Sequence, residues 1–194
     1  MPVKSDQWII EQSEKSEMIK PFAPSQVKKV ESPAGVSKGV ISFGVSSYGY
    51  DMRLGTEFRL LQGDHGGLVD PKNIDPTLYA PFSTENPFEL PAHGLVLAQT
   101  LEYFKIPRDI LTICFGKSTY ARCGVFVNVT PFEPEWEGFA TIAISNLSAR
   151  PVRLYPKEGI AQLIFLQSDE VCAVSYRDKQ GKYQAQTEIT TAKV

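Results

Sequence analysis

The sequence predicts an all-β domain, closed as a distorted barrel or jelly roll, with one short helix at its N-terminus. Three observations carry this. Apolar residues alternate with polar ones, or run on in short blocks, from about residue 40 to 165. Glycine and proline turn signals punctuate those blocks at short, regular intervals. Apolar residues recur at helical spacing only near the N-terminus. Many short strands with one helix fit a barrel or jelly roll.

In chain order, Ser5 is placed to cap a helix over 5–20, through Trp8, Ile9 and Gln12 toward Met18 and Ile19, which Pro21 and Pro24 end. It is read as a packing helix without chemistry. A polar stretch with Pro33, Gly35 and Gly39 leads to strands at 40–46 and 50–61, interrupted by Gly44, Gly49 and Gly55. Asp51 and Arg53 share a face there, and a structural salt bridge is their expected role. The loop 62–67 carries His65, two Asp-Pro turns follow in LVDPKNIDP, and His93 sits in the turn 91–94. Strands are expected at 94–100, 103–106 and 110–115. The run 125–130 is almost continuously apolar and is broken by Pro131 and Pro134, which cannot donate to a ladder. Beyond that turn Phe139, Thr141, Ala143 and Ser145 fall on one face of a strand, and Ala140, Ile142 and Ile144 on the other. The second face reads as core and the first, small and partly polar, as a pocket wall. Short strands at 152–155 and 159–165 close the β-rich core, 40–175. Residues 176–194 form a polar arm around Gly181, in itself a solvated tail unable to build a core.

The chain has 194 residues, enough for one domain with a real core, and is 42% hydrophobic and 22% charged, ordinary for a soluble protein. A formal net charge of -2 lacks the basic footprint of nucleic-acid binding, although a local cluster of cations could hold a triphosphate. Cys114, Cys123 and Cys172 form no CxxC pair, which points to a reducing compartment. The start is too short in apolar residues for a signal peptide, and no run reaches membrane-spanning length, so a cytoplasmic protein without membrane contact is expected. His65 and His93 lie in separate loops and make no plausible zinc site.

The chemistry concentrates in GKSTYARCGVFVNVTPFEPEWEGFATIAIS, residues 116–145. Gly116-Lys117-Ser118-Thr119 places a permissive glycine, a cation and two hydroxyls after an apolar run, as a turn facing a phosphate would need. It is not a P-loop, because Leu111 stands where that pattern needs its first glycine. Arg122 adds a permanently charged fork suited to phosphate, carboxylate or a base edge.

GKSTYARCG, VNVTPFEPEWEG, EGIAQ and GKYQ, with KSDQWI and SSYGYDMRLG upstream, closely resemble the dCTP deaminases of the dUTPase-like superfamily, over residues 4–186. The resemblance implies a dUTPase-like homotrimer with pockets at subunit contacts, in which one subunit's Gly116 turn meets another's residues. It implies hydrolytic deamination of dCTP to dUTP and ammonia in pyrimidine deoxynucleotide synthesis. The proton shuttle would be a glutamate, without zinc, with magnesium held by the triphosphate, and dTTP is a possible inhibitor. Neither H-x-E nor P-C-x-x-C, the signatures of zinc deaminases, is present. Carried over, Ser118 and Arg122 orient the water and the exocyclic amine. Lys117, with the turn Thr119, Tyr120 and Ala121, faces phosphates, and Glu133 lies near the sugar. Thr141, Ile142 and Gln162 line the nucleoside pocket, while Tyr176, Lys182 and Gln186 belong to an arm expected to order over the triphosphate and sugar. Trp136 is read as filling beneath the hairpin.

Two departures stand out. Where the family has its catalytic glutamate, after Thr-(Leu or Ile), this chain has Ala143. Either an exchange of Glu for Ala has been introduced to trap substrate, or this is a member that binds nucleotide without deaminating it; both make a binder that turns over poorly. In the arm, where the family has Gln-Gly-Gln and another glycine, this chain has Gln184-Ala185-Gln186-Thr187. The alternatives are a dUTPase, a bifunctional deaminase/dUTPase, or a non-catalytic nucleotide-binding trimer. A dUTPase usually carries a glycine-rich, phenylalanine-containing arm, absent here.

Overall fold

A computed structural model of the chain describes residues 1–31, 35–63 and 67–193; Pro33 and His65 lie outside them. The helix is α1 (Asp6–Ser16), followed by β1 (Ile19–Lys20), β2 (Val27–Glu31), β3 (Ser37–Ser46) and β4 (Gly49–Leu61). Then come β5 (Tyr79–Ser83), β6 (Phe88–Leu90), β7 (Leu95–Lys105), β8 (Ile110–Gly116) and a one-turn helix α2 (Ser118–Ala121). The order ends with β9 (Val125–Asn128), β10 (Glu137–Asn146), β11 (Val152–Leu154) and β12 (Gly159–Gln167).

The longest strand joins the two halves of the barrel. The first residues of β4 pair with β3 and β12, and β12 pairs in turn with β8. Its last residues pair with β5 and β7, and β7 continues to β10 and β9. The change of partners falls at a register shift between Leu54 and Phe58. Gly55 lies in that shift, where a Cβ would stand 2.5 Å from the Gln99 carbonyl oxygen; only glycine admits so close a backbone crossing. The enclosed core includes Tyr50, Phe58, Phe104, Ile142 and Phe165, all but fully buried. β6 and β11 make a separate two-stranded sheet.

Four readings change. The helix ends at Ser16 rather than near residue 20, because Glu17 turns left-handed (φ 52°) and Ile19–Lys20 pairs with Phe104 and Tyr103 as a strand. Ser5 is the N-cap residue, but its backbone carbonyl makes the bond, to the Ile9 amide (3.1 Å), and its side chain makes none. The strands expected at 94–100 and 103–106 are one, β7, since the polar Thr100 and Glu102 that divide the pattern are buried, the Thr100 hydroxyl donating to the Glu102 carbonyl and the Glu102 carboxylate accepting from β4. The Gly116 turn runs into α2 instead of a plain loop.

Asp51 and Arg53 are both ion-paired, with separate partners. Arg53 donates from its backbone amide (2.9 Å) and from Nε (2.6 Å) to Glu102, which is fully buried, and from Nη2 to the Pro21 carbonyl (2.9 Å). The Tyr50 hydroxyl donates to the same carboxylate (3.3 Å) and accepts from the Ala23 amide (3.3 Å). Desolvation pushes the Glu102 carboxyl up, and the adjacent guanidinium opposes that. The network ties the segment after α1 to β4 and β7. Glu102→Ala would strand Arg53, only 14% exposed, and is expected to destabilise the fold by about 3–5 kcal/mol in urea unfolding. Arg53→Met combined with Glu102→Leu should lose markedly less than the sum of the singles; additive losses would mean that the pair is not coupled.

Candidate functional site

β10 is the wall on which the site is built. Its residues alternate between buried (Ala140, Ile142, Ile144) and half-exposed (Phe139, Thr141, Ala143, Ser145) without a break. On the open face Ala143 stands between Leu97 of β7 and Asn128 of β9. The segment from Val129 to Trp136 folds up beside this face. The buried Thr112 of β8 holds it, accepting from the Phe132 amide at its hydroxyl (2.7 Å) and donating its own amide to the Phe132 carbonyl (3.1 Å). Trp136 packs on Phe132 at 4.5 Å between ring centroids, as the core filler expected.

The third component is the C-terminal arm, seated on the body and not a solvated tail. Gln186 runs parallel to Gly138 as an isolated bridge, with the Phe139 amide donating to the Gln186 carbonyl (2.9 Å) and the Ala185 amide to that of Glu137 (3.0 Å). Gly138 has φ 144°, and a Cβ there would lie 2.8 Å from the Gln186 nitrogen. The Gln186 amide group donates to the Phe139 carbonyl (3.1 Å) and to the Thr141 hydroxyl, which also accepts from the Thr190 amide (3.2 Å). Trp136 Nε1 donates to the Tyr183 carbonyl (2.8 Å). Ala185 holds φ 53°, the left-handed conformation that glycine adopts freely, whereas Thr187 does not require it. The arm thus keeps its course with a strained alanine, at about 1–2 kcal/mol.

Between β10, the hairpin and the arm lies a cavity of about 910 Å³, at the upper end of the size usual for small-molecule sites. It gathers five of the expected residues, Glu133, Thr141, Tyr176, Lys182 and Gln186. It also uses residues the sequence did not single out: Val69, Pro71, Ile74 and Tyr79 from the loop and strand after residue 67, with Leu97, Leu111 and Tyr183. The paired Asp-Pro turns were the available signal, since they stiffen that loop; Asp75 accepts from the Thr77 amide (2.8 Å) and hydroxyl (2.7 Å). Glu133 is paired with Lys179 of the arm, and Lys182 donates to the Lys193 carbonyl.

The Gly116 turn is not part of this cavity's wall. Ser118, Thr119, Ala121 and Arg122 are exposed, and Arg122 makes no side-chain hydrogen bond or ion pair among the described residues. Tyr120 does not present its side chain outward: it is buried, its hydroxyl accepts from the Tyr155 amide (3.2 Å), and burial pushes the phenol upward. It is the anchor that holds α2 in place. Lys117 turns inward to Asp51 at 2.5 Å, with side chains 11% and 3% exposed. Ile142 faces the core, and Gln162 donates to the Ser46 hydroxyl (3.0 Å) on another sheet face. Phe115, Phe126 and Ile113, on the strands flanking the turn, are exposed. The expected site residues therefore divide: Glu133, Thr141, Tyr176, Lys182 and Gln186 line the cavity, Ser118, Thr119, Ala121 and Arg122 face outward on the turn, Lys117, Tyr120, Ile142 and Gln162 are engaged elsewhere, and Ala143 is half-exposed on β10 outside the cavity lining. The open face of β10 carries one carboxylate, Glu137 at its start, paired with Arg177 (3.8 Å), and alanine at position 143.

A family model described as dCTP deaminase-like matches residues 3–168. A dCTP deaminase of Coxiella burnetii is 53% identical over 190 residues, covering 98% of this chain and 98% of its own. One of Acidithiobacillus ferrooxidans is 50% identical over 193 residues, covering 100% of each. The crystal structure of the 2'-deoxycytidine 5'-triphosphate deaminase from Agrobacterium tumefaciens matches with TM-score 0.58 at 13% identity, over 86% of this chain and 48% of that one, a likeness of fold. With the pocket wall, the hairpin and the basic turn in place, and relatives matched end to end at half identity, the chain belongs to the dCTP deaminase-like family.

Proposed function

We propose that this chain binds dCTP in the cavity against β10 and that the reaction belonging to the site is hydrolytic deamination to dUTP and ammonia. The observation that carries this is the convergence of Thr141, Glu133, Tyr176, Lys182 and Gln186 on one cavity of about 910 Å³ in a chain of this family. Thr141 and the neighbouring backbone would hold the cytosine, Glu133 the sugar, and Lys182 with Tyr176 and Gln186 the phosphates. Magnesium would enter on the triphosphate, whose oxygens are its natural ligands; among the described residues no three His, Cys, Asp or Glu side chains group to hold a metal.

Deamination at C4 needs a proton at ring N3, removal of a proton from the attacking water, and a proton for the departing ammonia. One carboxylate can serve all three. Position 143 is where it would stand, on the open face between Leu97 and Asn128, and alanine has no proton to move. The present chain is therefore read as a nucleotide binder with little turnover. Ser118 and Arg122, exposed and unengaged, would reach a neighbouring subunit's cavity to orient the water and amine. That assigns the exposed Phe115 and Phe126 to the contacts of a homotrimer. Three free cysteines fit a reducing cytoplasm. No described helix is long and apolar enough to cross a membrane.

Ala143→Glu is expected to release ammonia from dCTP at least about 10³ faster than the present chain, with dCTP affinity little changed, since general acid–base help is worth about 10² to 10⁴ and this carboxylate acts three times. Equal rates would detach position 143 from the chemistry, and pyrophosphate release from dUTP would indicate dUTPase activity. Sedimentation equilibrium at micromolar concentration should return a trimer; a monomer would leave Ser118 and Arg122 without a cavity to complete.

Lys117 is proposed to support the phosphate-facing turn from within. Its ammonium is already matched by Asp51, so the backbone of the turn is what it offers a ligand. Lys117→Met should lower stability by about 3–5 kcal/mol and weaken dCTP and deoxycytidine by the same factor. A loss confined to the triphosphate would make Lys117 a direct phosphate ligand.

A further inference from the structure

Arg108 lies in the turn between β7 and β8, outside every motif discussed above, and its guanidinium binds two distant segments of chain at once. Nη1 donates to Glu135 of the hairpin (2.6 Å) and to the Ser175 hydroxyl (3.5 Å). Nη2 donates to Asp178 (2.7 Å) and to the carbonyls of Ala173 (3.1 Å) and Cys172 (3.4 Å). From the other side the Cys172 thiol donates to the Arg108 carbonyl (3.7 Å), and the Ser168 amide to the Asp109 carbonyl (2.9 Å).

Besides Arg108, the root of the arm is held by Tyr176, whose amide donates to the Pro134 carbonyl (3.0 Å) and whose ring packs against the core, while Val171 and Val174 are 61% and 62% exposed. Of the neighbouring arm cations, Lys179 pairs with Glu133 (2.5 Å), while Arg177 is attached more loosely, 3.7 Å from Glu135 and 3.8 Å from Glu137, and is itself largely exposed. Glu135 sits at φ 60°, a left-handed conformation that a non-glycine residue keeps only when its surroundings hold it there. Hydrogen bonding, chiefly from Arg108, holds the Asp178 carboxyl at about 2 against an ordinary 3.8. Tyr176 within this root, and Lys182, Tyr183 and Gln186 directly beyond it, form one side of the cavity.

We propose that Arg108 is a positioning residue for nucleotide: it touches no ligand, and by clamping residues 172–178 to the hairpin it sets whether the arm is seated over the cavity. The nucleotide part of this inference rests on the reading under Proposed function; the seating of the arm does not. A lysine cannot replace it, because one ammonium lacks the planar fork that spans two carboxylates and the carbonyls between them.

The test uses Trp8→Phe as background, since the chain has 2 tryptophans and Trp136 then reports alone on the arm through its bond to Tyr183. Arg108→Gln and Arg108→Lys should both red-shift Trp136 emission, raise its quenching by acrylamide and speed proteolysis within residues 176–193. Asp178→Asn should do the same more weakly, giving a second approach should the arginine variants fold poorly. If the seated fraction falls to about one tenth, the apparent Kd for dCTP rises about tenfold, since affinity scales with the competent population, while deoxycytidine is weakened less. Unchanged Trp136 emission in Arg108→Gln and Asp178→Asn, or full recovery in Arg108→Lys, overturns the proposal. Loosening of the arm in a protein whose parent binds no dCTP supports the clamp and removes the nucleotide reading instead.

Discussion

Everything at the site depends on one strand being buried on one side only. β10 is flanked by β7 and β9, its backbone groups are used in the two ladders, and its side chains alternate between buried and half-exposed, with Thr141 reaching the cavity. Ile142 and Ile144 pin the strand from within. A slip of one residue would exchange the faces, exposing those isoleucines. The core thereby fixes the register that puts Thr141 on the cavity and Ala143 two residues further along the same half-exposed face, so that stability and site geometry are set by the same contacts. The bulge between Phe139 and Thr141 falls where the strand passes under the arm, and there the Ala140 amide is satisfied by the buried Thr100 hydroxyl (2.9 Å).

The arm adds a second constraint on the same strand. Its backbone lies so close to β10 that residue 138 can carry no side chain, and its own residue 185 must turn left-handed. One of these positions is glycine and the other is not. The strain at Ala185 is small beside the hydrogen bonds that Ala185, Gln186, Gln184 and Trp136 form around it, so the arm holds its path. Polar composition, which rules out a hydrophobic core for such a segment, does not prevent docking when the body presents matching donors and acceptors.

What the sequence made legible follows from this physics. Period-two alternation identified β10 and its faces without reference to any partner strand, because one face is core. The runs in β4, β8, β9 and β12 were visible for the same reason. β2 was not, since VKKVE is an exposed edge with no buried face to impose a pattern, and β5 was obscured by Pro81, tolerated at a sheet edge. Within the site, short motifs located residues but not their directions. Lys117, Ser118, Tyr120 and Arg122 are neighbours in sequence, yet two face inward and two outward, because the one-turn helix must bury Tyr120 to be held at all and Lys117 finds a buried carboxylate. Arg108 left no signal, since its five acceptors come from segments far apart in the chain.

The cavity and the turn are unequal in how their charges are met. Around the cavity, Glu133 faces Lys179, Glu135 faces Arg108 and Arg177, and Glu137 faces Arg177. On the turn, Arg122 has no such partner among the described residues, and it stands beside exposed phenylalanines. An unmatched guanidinium beside apolar surface is soluble at little expense while it faces water, and gains when an anion and a second apolar face arrive together. Under the proposed chemistry a carboxylate at position 143 acts on proton transfer with little effect on binding, and so separates the two more cleanly than any change on the arm.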